Sequence, residues 1–299
     1  MKIESERHPL LLNFSLILTN IFAILICLLF YTTNEVNFKH FGLFFIVLVM
    51  PFDYLFLKNS PKIVVDKYGI TFGKETYLWE DLTEIKISTK GKGFLYSQKE
   101  STKIRFKNGD VIYIYENHHA NSHEIRDYIN QVVINKCQGF EKRLLTSTSN
   151  NLYLGNFTDF KGHPILSFRG IMMWSLLIFL LLYPFYDSRK IEFAPLVTIY
   201  SFCVIWFLLN SWMMYYFRIS NKHFIIKNHY FFWIEKIYLL ENIEEVVYEQ
   251  QGKQSNALRI ITKDFKSKRF LAGSLNDPKW LEMKDFFEEK NIKVRNECI

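Results

Sequence analysis

Cysteine is scarce: there are four in 299 residues, Cys27, Cys137, Cys203 and Cys298, and no two stand at CxxC spacing. Neither a disulfide framework nor a cysteine-based zinc site is indicated. Catalytic constellations are missing as well. No Ser/His/Asp, Cys/His or paired-carboxylate arrangement stands at a recognisable spacing, and Gly91-x-Gly93 is too little for a phosphate loop. An enzyme is therefore not expected. Potential metal ligands are densest at His118-His119 and His123-Glu124, but a helix opening at Asn121 divides them, with His119 before it and His123 in its first turn. Two further ligands are not evident, so the cluster reads as a polar strand-to-helix connection, with no metal or cofactor expected.

What the chain does contain is a repeat. His8-Pro9-Leu10-Leu11-Leu12-Asn13-Phe14 opens one apolar hairpin, and His163-Pro164-Ile165-Leu166-Ser167-Phe168 opens another. Val65-Asp66-Lys67-Tyr68-Gly69-Ile70 then matches Ser220-Asn221-Lys222-His223-Phe224-Ile225 at the same offset. Trp79-Glu80-Asp81-Leu82 is echoed by Leu240-Glu241-Asn242-Ile243 after a short insertion. The period is too long for a solenoid and implies a duplicated module.

Nearly half the residues are hydrophobic, and they concentrate in four runs: Leu10 to Tyr31, Phe41 to Leu57, Ile165 to Tyr186 and Phe193 to Phe217. About 20 apolar residues suffice to cross a bilayer, so four spanning helices are expected. No small-x-small cleavage site follows the first run, which argues against a signal peptide. Lys2, Arg7, Lys58, Lys62, Lys67, Lys161, Arg169, Arg218, Lys222 and Lys227 fall on one side of these runs, and Lys39, Arg189 and Lys190 on the other. The positive-inside rule then places both termini and both soluble domains in the cytoplasm, giving a multi-pass inner-membrane protein. The formal charge of +7 suits domains held against an anionic leaflet. No recognition motif supports nucleic-acid binding. The spans carry no charged group at their centres, against a transporter, and interhelical hydrogen bonding accounts for Asn20 and Asn210.

Between Lys62 and Tyr115, Ile63/Val65, Ile70/Phe72, Ile85/Ile87, Ile104/Phe106 and Ile112/Ile114 alternate with polar or smaller residues, the period of half-buried strands. Asn108-Gly109 marks a tight hairpin turn, and Asn121-x-x-Glu124 a capping box for a helix whose face is Ile125, Ile129, Val132 and Val133. Trp79 is expected to face the core. In the second copy the strands run from Phe217 to about Phe270, with Leu258 and Ile260 alternating. Asp277-Pro278 starts a helix carrying Trp280, Leu281, Met283 and Phe287.

Asp66-x-x-Gly69-Ile70, then Tyr77-x-Trp79-Glu80-Asp81-Leu82-x-x-Ile85, then Lys107-Asn108-Gly109 and a closing helix together resemble the bacterial pleckstrin-homology-like (PH-like) domain. The likeness covers about Lys62 to Val133 and is weaker from Phe217 to Val294, where His223-Phe224 replaces the Tyr-Gly step and Leu240 the Trp. It implies a membrane-anchored adaptor or regulatory module, usually without catalysis. The expected fold is thus an α+β membrane protein: four transmembrane helices in two hairpins, and two small antiparallel-β PH-like domains each closed by a C-terminal helix. Its divisions are a first hairpin (1–60), a first domain (61–137), a linker (138–162), a second hairpin (163–217) and a second domain (218–299).

The candidate binding residues are Lys90, Lys92, Lys103, Arg105 and Lys107. On a strand, Lys103, Arg105 and Lys107 alternate with Ile104 and Phe106 and so share a solvent face. With the Lys90-Gly91-Lys92-Gly93 loop they form either a cradle for a lipid headgroup or an unspecific basic surface. The expected partners are membrane lipids and a protein, the latter also reachable by strand addition at an exposed sheet edge. The expected role is a scaffold or regulator. An immunity or defence-associated membrane protein is the rival reading, a transporter or membrane enzyme a third, and gene neighbourhood would separate them.

Overall fold

In the computed structural model the described residues are 2–6, 60–92, 98–143, 145, 156–186, 193–250 and 255–298, with isolated positions 20, 24, 47, 51 and 54. They fall into two compact units, Met1–Lys142 and Arg143–Ile299.

The first unit has two sheets. Strands β1 (Ile3–Glu4), β2 (Ile63–Val65), β3 (Gly69–Phe72) and β4 (Glu75–Leu78) form an antiparallel sheet in that order. Strands β5 (Leu82–Lys92), β6 (Gln98–Phe106) and β7 (Val111–Tyr115) form the second. Helix α1 (Ser122–Tyr128) widens into a π-helical turn over Ile129–Ile134. Alternation aims Ile63, Val65, Ile70, Ile104, Phe106, Ile112 and Ile114 inward, where Ile125, Tyr128 and Ile129 of the helical segment close the core.

The second unit begins with β8 (Thr158–Phe160), followed by helices α2 (Phe168–Tyr186) and α3 (Phe193–Ser211). Next come β9 (Tyr215–Ile219), β10 (His223–Asn228) and β11 (Glu235–Leu239), which with β8 make a sheet ordered β11-β10-β9-β8. A second sheet holds β12 (Ile243–Glu249), β13 (Ala257–Thr262), β14 (Ser267–Leu271) and β15 (Lys293–Asn296) in the order β14-β13-β12-β15. Helix α4 (Asp277–Glu289) caps the core through Trp280, Met283 and Phe287. Leu281, expected on that face, is exposed.

The two units repeat one another down to single hydrogen bonds. Asp66 N donates to Gly69 O while Asp66 Oδ1 accepts from the amides of Tyr68 and Gly69; Ser220 N donates to His223 O while Ser220 Oγ accepts from the amides of Lys222 and His223. Short polar side chains make such turns by mimicking a backbone acceptor. Trp79 N donates to Tyr68 O, and Leu240 N to Lys222 O; Lys107 N donates to Asp81 O, and Lys263 N to Asn242 O. Gly109 takes a positive φ of 89° at the β6–β7 turn, and Phe265 one of 58° at the β13–β14 turn. These pairs align Val65 with Ile219 and Ile70 with Phe224. The first stretch of the repeat is therefore offset by one residue from the match that the residue letters suggest. Only this register puts Ile70 and Phe224 both in the cores, since a slip of one residue turns every side chain to the other face.

Several local expectations are corrected. Asn121 makes no capping bond with its side chain. Its Oδ1 instead accepts from Glu6 N at 2.8 Å and its Nδ2 donates to Glu4 O at 2.8 Å, clamping β1 to the unit. The cap of α4 is Asn276, which accepts from Lys279 N at 3.3 Å, one residue before the expected Asp277. Trp79 does pack on the core as expected, though half-buried, with its indole Nε1 donating to Asp66 O at 2.9 Å.

The membrane reading is also corrected. Among the described residues no helix is long and apolar enough to cross a membrane, which removes the support for transmembrane, multi-pass and inner-membrane assignments. The 22-residue run from Ile165 yields α2 only from Phe168, and the 25-residue run from Phe193 leaves α3 at Ser211 and enters β9 at Tyr215. Of each helix 19 residues are described. The runs Leu10–Tyr31 and Phe41–Leu57 lie outside the described residues apart from isolated positions. The lysine and arginine bias has a local cause in several places: Arg218 pairs with Asp159 at 2.7 Å, Lys62 with Glu4 at 2.6 Å and Lys227 with Glu235 at 3.3 Å. Asn210 does bridge helices, its Oδ1 accepting from Arg169 Nη1 at 3.3 Å.

Candidate functional site: the basic face of the second sheet in the first unit

Strand β6 lies between β5 and β7, with Ile104 and Phe106 buried and Lys103 and Arg105 turned outward. Cross-strand partners share a face. The register pairs Lys103 with Lys86 and Arg105 with Glu84, which sets all four side chains together. Glu84 sits among three cations: Lys86 at 3.1 Å, Lys103 at 3.5 Å and Arg105 at 3.7 Å. Its hydrogen bond with Lys86, helped by the charges of Lys103 and Arg105, holds its carboxyl below the usual carboxylate range despite desolvation. One carboxylate against three cations leaves the patch net positive. Lys107 lies just beyond, donating to Glu80 O at 2.7 Å and approaching Asp81 at 3.4 Å.

Lys90 stands apart from this patch. It pairs in register with Glu100, a position that shares the parity of Ile104 and not that of Lys103, while the side chain of Lys92 lies outside the described ones. An irregularity in β5 between Lys86 and Thr89 shifts the alternation. The structure thus gathers Lys103, Arg105 and Lys107 along one line, adds Lys86, which sequence reasoning missed, and registers Lys90 on the opposite face.

The corresponding face of the second unit has another character. Aligned on the repeated hydrogen bonds, Lys86 corresponds to Val247, Lys103 to Arg259 and Arg105 to Ile261. Val247 and Ile261 are buried, and Arg259 is tied to Glu249 at 3.0 Å. Lys86 and Arg105 are instead exposed, with side-chain accessibilities of 58% and 47%.

Two other places invite a chemical reading. His229 Nε2 lies 3.0 Å from Ser274 Oγ, the separation of a nucleophile and its base. Burial, with Lys161 and His163 nearby, depresses the His229 pKa to about 4, which weakens it as a base at neutral pH. No carboxylate orients the ring among the described residues, and Ser274 is buried beneath Gly162, where an added Cβ would stand 1.7 Å from Ser274 O. The pair fastens the loop after β10 to the segment before α4. His118, in the cluster weighed for metal binding, is buried with Nδ1 2.8 Å from Ser60 Oγ. Among the described residues no group of three metal-ligating side chains converges.

No protein-family model matches the chain, and no characterised protein matches its sequence.

Proposed function

We propose that this is a non-catalytic binding protein whose two units are PH-like modules, and that the exposed basic face of the first is a docking surface for an acidic protein partner. The observation that carries the reading is the difference between the copies: the second unit buries Val247 and Ile261 where the first exposes Lys86 and Arg105. An exposed charged face steers an oppositely charged partner and sets which partner docks. The two sheets and closing helix of each unit agree with the PH-like arrangement that the motifs around Asp66, Trp79 and Asn108-Gly109 suggest.

An acidic protein is favoured over a lipid headgroup because the cations lie flat along strands and share Glu84, an arrangement suited to a broad surface more than to one phosphate. The test compares the full chain with a Lys86→Glu/Arg105→Glu variant. Poly-glutamate is expected to bind the first, to weaken as salt rises because surface attraction is screened over about 8–10 Å, and to bind the variant poorly. Equal binding by both chains would end this reading. Phosphatidylserine vesicles binding more tightly than poly-glutamate of equal charge would transfer the face to lipid.

A further inference from the structure

The repeat exposes a second asymmetry, at a sheet edge. In the second unit β12 pairs with β13 on one side and, on the other, with the chain's own β15, parallel, over Glu245–Tyr248. In the first unit β5 pairs with β6 alone among the described residues. The two strands are equivalent: both follow a 3-10 turn, and both show the same register irregularity after their first residue, Leu82/Glu84 and Ile243/Glu245. Glu84–Ile87 of β5 therefore corresponds to the stretch that β15 covers in β12.

The segments after the closing helices explain the difference. Both helical segments end in a left-handed residue, Asn291 with φ 56° and Lys136 with φ 54°, and what differs is the path beyond: past Asn291 the chain runs into β15. After the π-helical turn of the first unit it stays along the helix: Gln131 Nε2 donates to Glu141 O at 2.9 Å, and Gln131 Oε1 accepts from Glu141 N at 3.0 Å. Phe140 packs on Tyr128 with ring centroids 5.5 Å apart. The first unit thus holds its tail away from the edge that the second unit fills. Burial follows suit, since Val246 under β15 is fully buried while its counterpart Ile85 is only partly buried. Past Ile87 the register irregularity of β5 between Lys86 and Thr89 breaks the regular edge, which limits the opening to about four residues.

We propose that the Glu84–Ile87 edge of β5 is a strand-addition slot for an extended, acidic segment of a partner protein. Such addition satisfies backbone groups and takes specificity from alternate side chains. The template is β15, whose Val294 packs on the core while Lys293 and Arg295 meet the single acid Glu245 at 3.2 and 3.4 Å. In the first unit Glu84 already has Lys86, Lys103 and Arg105. The incoming strand must therefore carry carboxylates where β15 carries cations, alternating with an apolar residue over Ile85. This deepens the proposed acidic-partner reading by naming the backbone edge as the point of attachment.

The test uses the full chain and three capped hexapeptides: alternating Glu and Val, alternating Lys and Val, and Glu-Val with its central valine replaced by proline. The Glu-Val peptide is expected to bind and to slow amide exchange over 84–87 but not over 245–248, where β15 already occupies the edge. The Lys-Val and proline peptides are expected to bind about tenfold more weakly or worse, one through repulsion and the other through lost ladder hydrogen bonds. Lys86→Glu is expected to weaken the Glu-Val peptide similarly while leaving the melting temperature near that of the parent. Equal binding of the Glu-Val and proline peptides without protection of 84–87 would overturn the slot and leave the basic face standing. Equal binding of the Lys-Val peptide, or no binding by any of the three, would overturn both.

Discussion

Asn121 shows how one side chain can hold an element from the far end of the sequence. Its amide satisfies Glu6 N–H and Glu4 C=O together, both at 2.8 Å, from a buried position. Asn121→Ala would leave those groups without their partners, a loss of about 1–3 kcal/mol for unsatisfied buried polar groups. Chemical denaturation of the full chain is expected to show this loss in the transition of the first unit, with amide exchange of residues 3–6 accelerated. Trp79 acts by a similar linkage, through its hydrogen bond to Asp66 O. Because it is half-buried, Trp79→Ala is expected to cost about 1.5–3 kcal/mol, less than the ~3–5 of a fully buried aromatic truncation. Trp79→Phe, which keeps the ring but loses the donor, is expected to recover part of that cost in thermal melts.

At the scale of elements, the loop between β10 and β11 is the main insertion of the second copy. It replaces the two-residue turn Gly73-Lys74 with His229–Ile234, and Tyr230 OH donates to Pro164 O at 3.1 Å while accepting from Trp174 Nε1 at 3.0 Å. His229 within it has a folded pKa of about 4 against an ordinary 6.5. The unfolded chain therefore takes up the proton first, and the stability from the neutral ring is present above about pH 6.5 and lost as pH falls toward 4. With a discount for partial exposure, the loss is on the order of 2 kcal/mol. Between pH 7 and 4 the parent is expected to lose that much more stability than His229→Gln, read from urea midpoints. Parallel curves would assign the acid sensitivity to other groups.

For the molecule as a whole, the unit boundary lies beyond the end of the first helical segment. Phe140 rests on the core of the first unit and Glu141 is bound at both backbone groups by Gln131. A fragment ending at Lys142 is expected to be more stable than one ending at Cys137 by about 1–3 kcal/mol, the sum of a half-buried aromatic and two hydrogen bonds. Urea denaturation of the two fragments measures it. The apolar runs Ile165–Tyr186 and Phe193–Phe217 contribute Met173, Leu177 and Cys203 to a buried cluster, while Phe168, Ile171, Leu182, Val204 and Leu209 are exposed.

Patterns that depend on neighbours in the chain were legible from residues alone. The alternation that buries Ile63, Val65, Ile104 and Ile114, the Asn108-Gly109 turn and the helical face of Trp280, Met283 and Phe287 all follow from the local period of side-chain direction. The duplication was legible for the same reason, although its first stretch stands one residue from the structural register because identical letters can fall on opposite faces of a strand. Distant pairings had no local signal. The two-residue β1 and three-residue β8 are too short to show a period, and each joins its sheet across an intervening segment: Ile3 pairs with Val65 and Phe160 with Phe217. Neither the double role of Asn121 nor the gathering of Lys86 with Lys103 and Arg105 could be read before the strands were in register. Hydrophobic runs likewise state only that apolar surface exists. Where a helix ends and a strand begins, as between Ser211 and Tyr215, is decided by the sheet that receives the chain, because β9 gains its ladder partners β8 and β10 only in the folded state.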